Sequence, residues 1–461
     1  MSRTIFDKIW DAHRVTSGGD GADLILIDRI LLHERTGGVA LKSLAERGRA
    51  VLAPDQAFAV MDHIVDTRPG RTDRTLMPTG TDFIRATREG AGAAGIRLFD
   101  LDDPAQGIVH VMSPELGLVL PGATLVCPDS HTCSQGALGA LAWGIGSTEA
   151  EHALATSTLR LRRPPTMRVR IEGALAAGVT AKDLALALLG RFGVGGGRGH
   201  VVEYAGAAVR ALDVESRLTL CNMATEFAAF TAIIAPDEAV FDYLKGRRFA
   251  PAGAGWDAAL ASWHELASDE DARFDRELAF DASEVAPMVS WGTSPQQVVP
   301  IDGAVPDPGA AEGPARALAY MGLTPGTRLA DLPIDAAFIG SCTNSRIGDL
   351  RRAAAILKDR KVAAGVKAIC VPGSTQVKRQ AEAEGLDDVF RAAGFEWRES
   401  GCSMCFFAGG ESFAPQARVV SSTNRNFESR QGPGTRTHLA SPETVAASAI
   451  AGRIADPRKV A

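Results

Sequence analysis

The sequence predicts an α/β fold, on three observations. Short apolar runs recur along the chain, as in Asp23–Asp28, Phe58–Met61, Ala123–Cys127, Ala336–Ile339 and Arg418–Ser422. Their length and character suit strands buried on both faces. Segments with helical spacing lie between them, the alternation that builds parallel sheets. Polar or glycine-rich stretches follow several runs, where an open α/β sheet carries its functional loops.

Taken in order, Met1–His13 reads as an amphipathic helix and Asp23–Asp28 as a strand. Val39–Arg49 has Leu41, Leu44 and Ala45 on one helical side. Phe58–Met61, Ile108–Met112 and Ala123–Cys127 read as three further strands, and Ser147–Leu159 as a helix. Pro164-Pro165 marks a boundary. Beyond it, Met167–Ile171 alternates like a strand, and Thr180–Leu189 reads as a helix with Thr180 as N-cap and Asp183 third in it. Gly193–Gly199 fits neither the dinucleotide fingerprint nor the P-loop spacing and reads as a turn. Leu220–Glu226 is expected on a helix, with Asn222 and Glu226 four apart on one face. Trp256–Val285 reads as a peripheral helix and connection, and Asp302–Pro314 as a linker. Strands Ala336–Ile339, Lys367–Val371, Phe395–Arg398 and Arg418–Ser422 then alternate with helices Asp349–Leu357 and Val377–Glu384. This gives three α/β domains, 1–165, 166–300 and 301–461, the last carrying most of the candidate metal ligands.

Bulk properties narrow the class. In 461 residues, 46% are apolar and 23% charged, ordinary for a globular enzyme. The 49 basic and 55 acidic residues give a net charge of −6, with no basic run for a nucleic acid. No apolar run is long enough to span a membrane, and the N-terminus lacks a signal peptide's apolar region. An odd count of seven cysteines argues against a disulfide framework and for a reducing, cytoplasmic setting.

Chemistry concentrates in Gly401-Cys402-Ser403-Met404-Cys405 and, at a distance, Cys342 in Ile339–Ser345. Three thiols are one short of a closed structural zinc site. An iron–sulfur cubane normally takes four, so three leave one iron open to act as a Lewis acid on a hydroxyl or carboxylate. A redox dithiol and a chance pair are the other readings of the C-x-x-C. Asp62-His63 and Asp129-Ser130-His131 place an acid and an imidazole after apolar runs, suited to acid–base work; structural loop histidines are the alternative. Asn424-Arg425 and Arg430 offer forked donors for a di-acid, or are surface arginines. Glu226 and Glu151 are candidate orienting carboxylates, Glu151 reading more as helix-face charge. Cys127, Cys133, Cys221 and Cys370 read as small buried apolar residues.

These motifs, in this order, resemble the aconitase superfamily. The resemblance rests on Met61–His63, Pro128–Thr132, Cys221–Glu226, Ile339–Ser345, Gly401–Cys405 and Asn424–Arg430, and covers essentially the whole chain. Gly107–Met112, Val201–Glu203, Ala319–Gly322 and Arg436–Leu439 bring it nearest the large subunits of isopropylmalate isomerases. It implies an aconitase-like three-domain core without the swivelling domain. It implies a [4Fe-4S] cluster on Cys342, Cys402 and Cys405, with one iron not ligated by protein. Asp62 and His63 would serve protonation of the departing hydroxyl. Asp129 and His131 would lie by the iron-bound oxygen, with Glu226 paired to His131. His33, Ser130, Asn222, Asn424, Arg425 and Arg430 would line the substrate and cluster region. The implied reaction isomerises 2-isopropylmalate to 3-isopropylmalate through isopropylmaleate, in leucine biosynthesis. A related dehydratase for another 2-alkylmalate or citrate-like acid is the alternative, and an RNA-binding regulator on the same scaffold a further one. Only 31 residues follow Arg430, too few for the family's swivelling domain with its serine base, so a small-subunit partner is expected. Departures from the family pattern at Ile64, Pro128, Cys133–Gln135 and Phe406–Gly410 bear on the substrate.

Overall fold

The computed structural model describes residues 2–407 and 410–460. Its contacts divide the chain into two compact units, each assembled from separate segments. The first comprises residues 1–62, 81–172 and 195–280; the second comprises 63–80, 173–194 and 281–461.

Each unit is built on a five-stranded parallel sheet, and the two sheets share one winding order. In the first, Arg29–His33, Ala57–Val60 and Arg97–Phe99 run outward in sequence. The chain then returns to place Thr124–Cys127 on the other side of Arg29–His33, with Leu141–Gly144 beyond it. In the second, Ala336–Ile339, Lys367–Cys370 and Phe395–Trp397 run one way, and Arg418–Ser421 and Arg436–Leu439 return on the other side. Each sheet therefore has a switch point beside its first strand. Crossovers leave in opposite directions there, which opens a crevice at the carboxyl ends of the strands. Ala57–Val60, Thr124–Cys127, Ala336–Ile339 and Arg418–Ser421 are buried at every position, as strands covered on both faces must be.

Helix ends follow local chemistry. Thr180 caps Ala181–Phe192, its hydroxyl accepting from Asp183 N while the Asp183 carboxylate accepts from Thr180 N. Asp213, Ser374 and Ser441 cap three further helices by accepting one backbone N–H each through the side chain. Pro314 falls in the first turn of helix Glu312–Met321, where its missing N–H costs no intrahelical bond. The second unit packs Phe338, Ile369, Val371, Met404, Phe413 and Val419 into one core cluster.

Three elements differ from the sequence expectation. Ile108–Met112 is not a strand: Val109–Glu115 is a helix, buried from Val109 to Pro114. An apolar run that short carries no usable periodicity, and the Asp62 carboxylate caps the turn by accepting from Val109 N at 2.8 Å. The helix bearing Asn222 ends there, and Glu226 sits on a separate 3-10 turn, Thr225–Phe227, that closes at Ala228 with φ +60°. Asn222 and Glu226 thus do not share one helix face. Arg276–Asp281, read as connection, is an edge strand of a four-stranded sheet, and it is half-exposed to exposed throughout.

In the first unit, Gly136 makes the closest backbone approach. A Cβ there would lie 1.8 Å from Ala232 O, because strand Thr231–Ile233 rests on the 3-10 segment Ser130–Leu138. Gly136→Ala should therefore cost about 1–3 kcal/mol of stability. Urea denaturation reads this directly, and an unchanged midpoint would show the contact to be slack.

Candidate active site

In the first unit, polar side chains gather at the switch point. His33 ends strand Arg29–His33 and Asp129 follows strand Thr124–Cys127, its neighbour in the sheet. His33 Nε2 lies 3.1 Å from Pro128 O, which ties the two loops together. Asp129 caps the Ser130–Leu138 segment, its Oδ1 accepting from His131 N at 2.7 Å and from His110 Nε2 at 3.0 Å. His131 Nε2 lies 2.8 Å from Glu226 Oε1, both side chains buried. A carboxylate on that nitrogen orients the ring and turns Nδ1 toward Ser130 Oγ at 3.5 Å and Asp129 Oδ1 at 3.6 Å. Ser130, beside it, is exposed. Asn222 is fully buried and donates to Ser134 Oγ at 2.9 Å. Asp62, equally buried, donates its N–H to Glu34 Oε2 at 3.0 Å.

Sequence reasoning gave no role to His110 or Gln135. The Gln135 amide donates to His110 Nδ1 at 3.2 Å and to Ser113 Oγ at 3.0 Å, leaving His110 Nε2 to carry its proton toward Asp129. The departing segment Cys133–Gln135 is therefore scaffold for two site residues: Cys133 points at Asn222 O, Ser134 holds Asn222, and Gln135 holds His110. Glu151 accepts from Ser43 and pairs with Arg47, a helix-packing role.

In the second unit, Cys342 follows strand Ala336–Ile339, and Asn424 follows Arg418–Ser421, the strand across that sheet's switch point. The two loops meet: Asn424 Nδ2 lies 3.0 Å from Thr343 Oγ1 and 3.6 Å from Cys342 Sγ. The fully buried guanidinium of Arg346 braces the Cys342 loop by donating to Cys342 O at 2.8 Å and Thr343 O at 2.9 Å. Cys402 and Cys405 follow strand Phe395–Trp397 on a single 3-10 turn. Met404 between them plugs into the core cluster. Ser341 and Ser403, each next to a candidate ligand, hold left-handed backbone at φ +79° and +45°. Such conformations in non-glycine residues cost energy and cluster at functional sites.

The second unit also places the arginines. Arg430 Nη2 lies 3.7 Å from Cys405 Sγ, and its guanidinium carbon stands 5.0 Å from the ring centroids of both Phe406 and Phe427. Phe406 also meets the His63 ring edge-on at 5.9 Å. Ile64 is buried, and Arg425 is half-buried. Of the departing run Phe406–Gly410, Ala408 and Gly409 lie outside the described residues. Lys182 is fully buried, its Nζ donating to Ser422 O and Thr423 O just before Asn424. Burial lowers its pKa to about 7, against the pull of Asp349, Asp183, Cys342 and Cys405.

All seven cysteines are buried thiols. Cys342 and Cys405 share Ser341, whose hydroxyl lies 3.9 Å from Cys342 Sγ and 3.2 Å from Cys405 Sγ, and N–H donors are directed at both sulfurs. Among the described residues, Ser403 Oγ and Arg430 Nε are buried without hydrogen-bond partners. A sulfur-ligated, anionic group fits this donor set; soft thiolates with neutralising N–H groups are the surroundings an iron–sulfur cluster takes.

Comparison with known proteins agrees. The profile described as the Aconitase family (aconitate hydratase) matches residues 7–452. The chain is also similar to a Bradyrhizobium diazoefficiens protein named 3-isopropylmalate dehydratase large subunit 1. The two are 53% identical over 462 residues, 99% of this chain and 96% of that protein.

Replacing a candidate ligand is mild for a fold in which the thiol packs as a small apolar group. Cys402→Ala and Cys405→Ala should keep the wild-type circular dichroism while bound iron and sulfide, assayed after anaerobic purification, fall to background. Undiminished iron in either variant would remove that cysteine from the ligand set.

Proposed function

The chain belongs to the aconitase family, and from that premise we propose that it is the large subunit of an iron–sulfur hydro-lyase. The enzyme isomerises 2-isopropylmalate to 3-isopropylmalate by dehydration to isopropylmaleate and rehydration, a step of leucine biosynthesis. The observation that carries this reading is 53% identity, over nearly the full length of both chains, to a 3-isopropylmalate dehydratase large subunit. The thiol set and the buried acid–imidazole pairs supply the chemistry it needs.

A [4Fe-4S] cluster on Cys342, Cys402 and Cys405, with one iron lacking a protein ligand, supplies Lewis acidity when bound. The remaining work falls to the chain's own groups. Arg425 and Arg430 take the two carboxylates; a planar fork binds a carboxylate through two parallel bonds. The Phe406 and Phe427 rings flanking Arg430 hold the plane of that fork. Asn424 and Asn222 offer amide groups to the substrate. His63, its ring set by Phe406, gives the proton that the departing hydroxyl needs, with Asp62 beside it in sequence. His131, oriented by Glu226, presents Nδ1 to the departing oxygen, with Ser130 next to it. Asp129, steadied by His110, stands by the same oxygen. His33 touches the substrate edge.

The base that takes the proton beside a carboxylate comes from a small subunit, whose swivelling domain carries a serine for that purpose. The assembly works in the cytoplasm, where free thiols persist. Among the described residues, no helix is long and apolar enough to cross a membrane. A second reading changes only the substrate, to another 2-alkylmalate. It is favoured by Phe406, a departure from the family pattern that lies against both the carboxylate anchor Arg430 and His63.

The test is turnover by the anaerobically reconstituted chain, with and without its small subunit, followed through absorbance of the unsaturated intermediate. Fast conversion of isopropylmalate only with the subunit present is expected. Preference for another alkylmalate would move the substrate to the second reading, and no turnover of any di-acid by an iron-loaded complex would overturn the proposal. Glu226→Gln should lower kcat by about 10²–10⁴-fold, the usual worth of a positioned acid–base group, with KM little changed. Unchanged kcat would return Glu226 to a structural role.

A further inference from the structure

Lys182 is placed where a lysine is costly. It is the second residue of helix Ala181–Phe192, so its ammonium opposes the positive end of the helix dipole. It is also 0% exposed, and a buried charge without a counter-charge is strongly disfavoured. Its two acceptors, Ser422 O at 2.8 Å and Thr423 O, are neutral carbonyls.

The carboxylates that act on it are engaged elsewhere. Asp183 takes Met288 N at 2.8 Å through one oxygen, and Thr180 N at 2.9 Å and Thr180 Oγ1 at 2.8 Å through the other. Asp349 accepts from Arg352 at 2.8 Å, Asn344 Nδ2 at 3.0 Å and Arg346 N at 3.1 Å. The other negative groups that reach Lys182 are the sulfurs of Cys342 and Cys405. The carbonyls it grips belong to the residues before Asn424, whose amide lies 3.6 Å from Cys342 Sγ.

We propose that Lys182 is the fixed counter-cation of the loaded cluster, a positioning residue that balances the charge of the thiolate-ligated group from inside the protein and clamps the Ser422–Asn424 loop against it. Three thiolates on a four-iron cubane leave a net negative group. An ammonium sealed from solvent near it favours the reduced state and raises the reduction potential. The inference rests on the cluster reading above.

The experiment compares wild type, Lys182→Met and Lys182→Arg as anaerobically reconstituted complexes with the small subunit. Reduction potential is measured by a redox titration followed by electron paramagnetic resonance, with thermal denaturation as a fold control. Lys182→Met should shift the potential negative, and Lys182→Arg should stay near wild type. A Lys182→Met chain that loads no cluster, beside a Lys182→Arg chain that does, also supports the charge requirement. An unchanged or more positive potential in Lys182→Met, or equal shifts or equal loss of cluster in both variants, overturns the inference alone. Wild type that loads no four-iron cluster overturns the functional reading, and this inference with it.

Discussion

The reversal of winding order beside the first strand of each parallel sheet is the constraint on which the rest depends. A parallel strand buried on both faces has no room for polar side chains, so they collect where the chain leaves the sheet. Only at the switch point do two adjacent strands send their loops to opposite faces. In one unit that edge carries His33 and Asp129, in the other Cys342 and Asn424. One architectural device, used twice, thus carries imidazoles and carboxylates in one place and thiols in another. The chemistry differs because the loops differ, not because the sheets do.

Rigidity at these loops comes from groups that bind substrate in no reading. Arg346 ties down two carbonyls of the Cys342 loop, Met404 anchors the Cys402 turn in the core, and Gln135 fixes the His110 tautomer. Each is a buried residue that holds a neighbour in place. The left-handed backbone at Ser341 and Ser403 is tolerable only because such anchors surround it. Preorganisation of this kind matters most where charge develops during reaction, since fixed dipoles need no rearrangement.

The sequence revealed the parts whose chemistry is local. A C-x-x-C, an arginine pair after a strand and an Asp–x–His motif are each visible as candidates within a few residues. Thr124–Cys127, Ala336–Ile339 and Arg418–Ser421 were also readable, because full burial leaves an unbroken apolar run; Arg29–His33 was not, since it follows directly on the apolar strand Ala22–Leu26 of another sheet and is broken by Arg29. Residues whose meaning depends on partners far along the chain stayed hidden. His110 sits in an apolar run that reads as strand; its helix exists because Asp62, forty-seven residues earlier, caps it. Lys182 looks like surface charge on a helix until the Ser422 and Thr423 carbonyls close over it. Glu226 was found for the right partner, but on a helix face that ends at Asn222.

The two units are threaded through one another in sequence, and this bears on how the protein is made. The first unit has all its segments once residue 280 has left the ribosome, whereas the second needs Asp281–Ala461. At about 5–20 residues per second, that remainder takes roughly ten to forty seconds to synthesise. Throughout that wait, His63–Gly80 and Gly173–Val194 stay tethered to a finished neighbour without the core they belong to. The second of them exposes the apolar face of Ala181–Phe192, together with Lys182 and Asp183. Nascent chains are thus most exposed to holdase chaperones and to aggregation in that interval, and cluster loading is necessarily a late event.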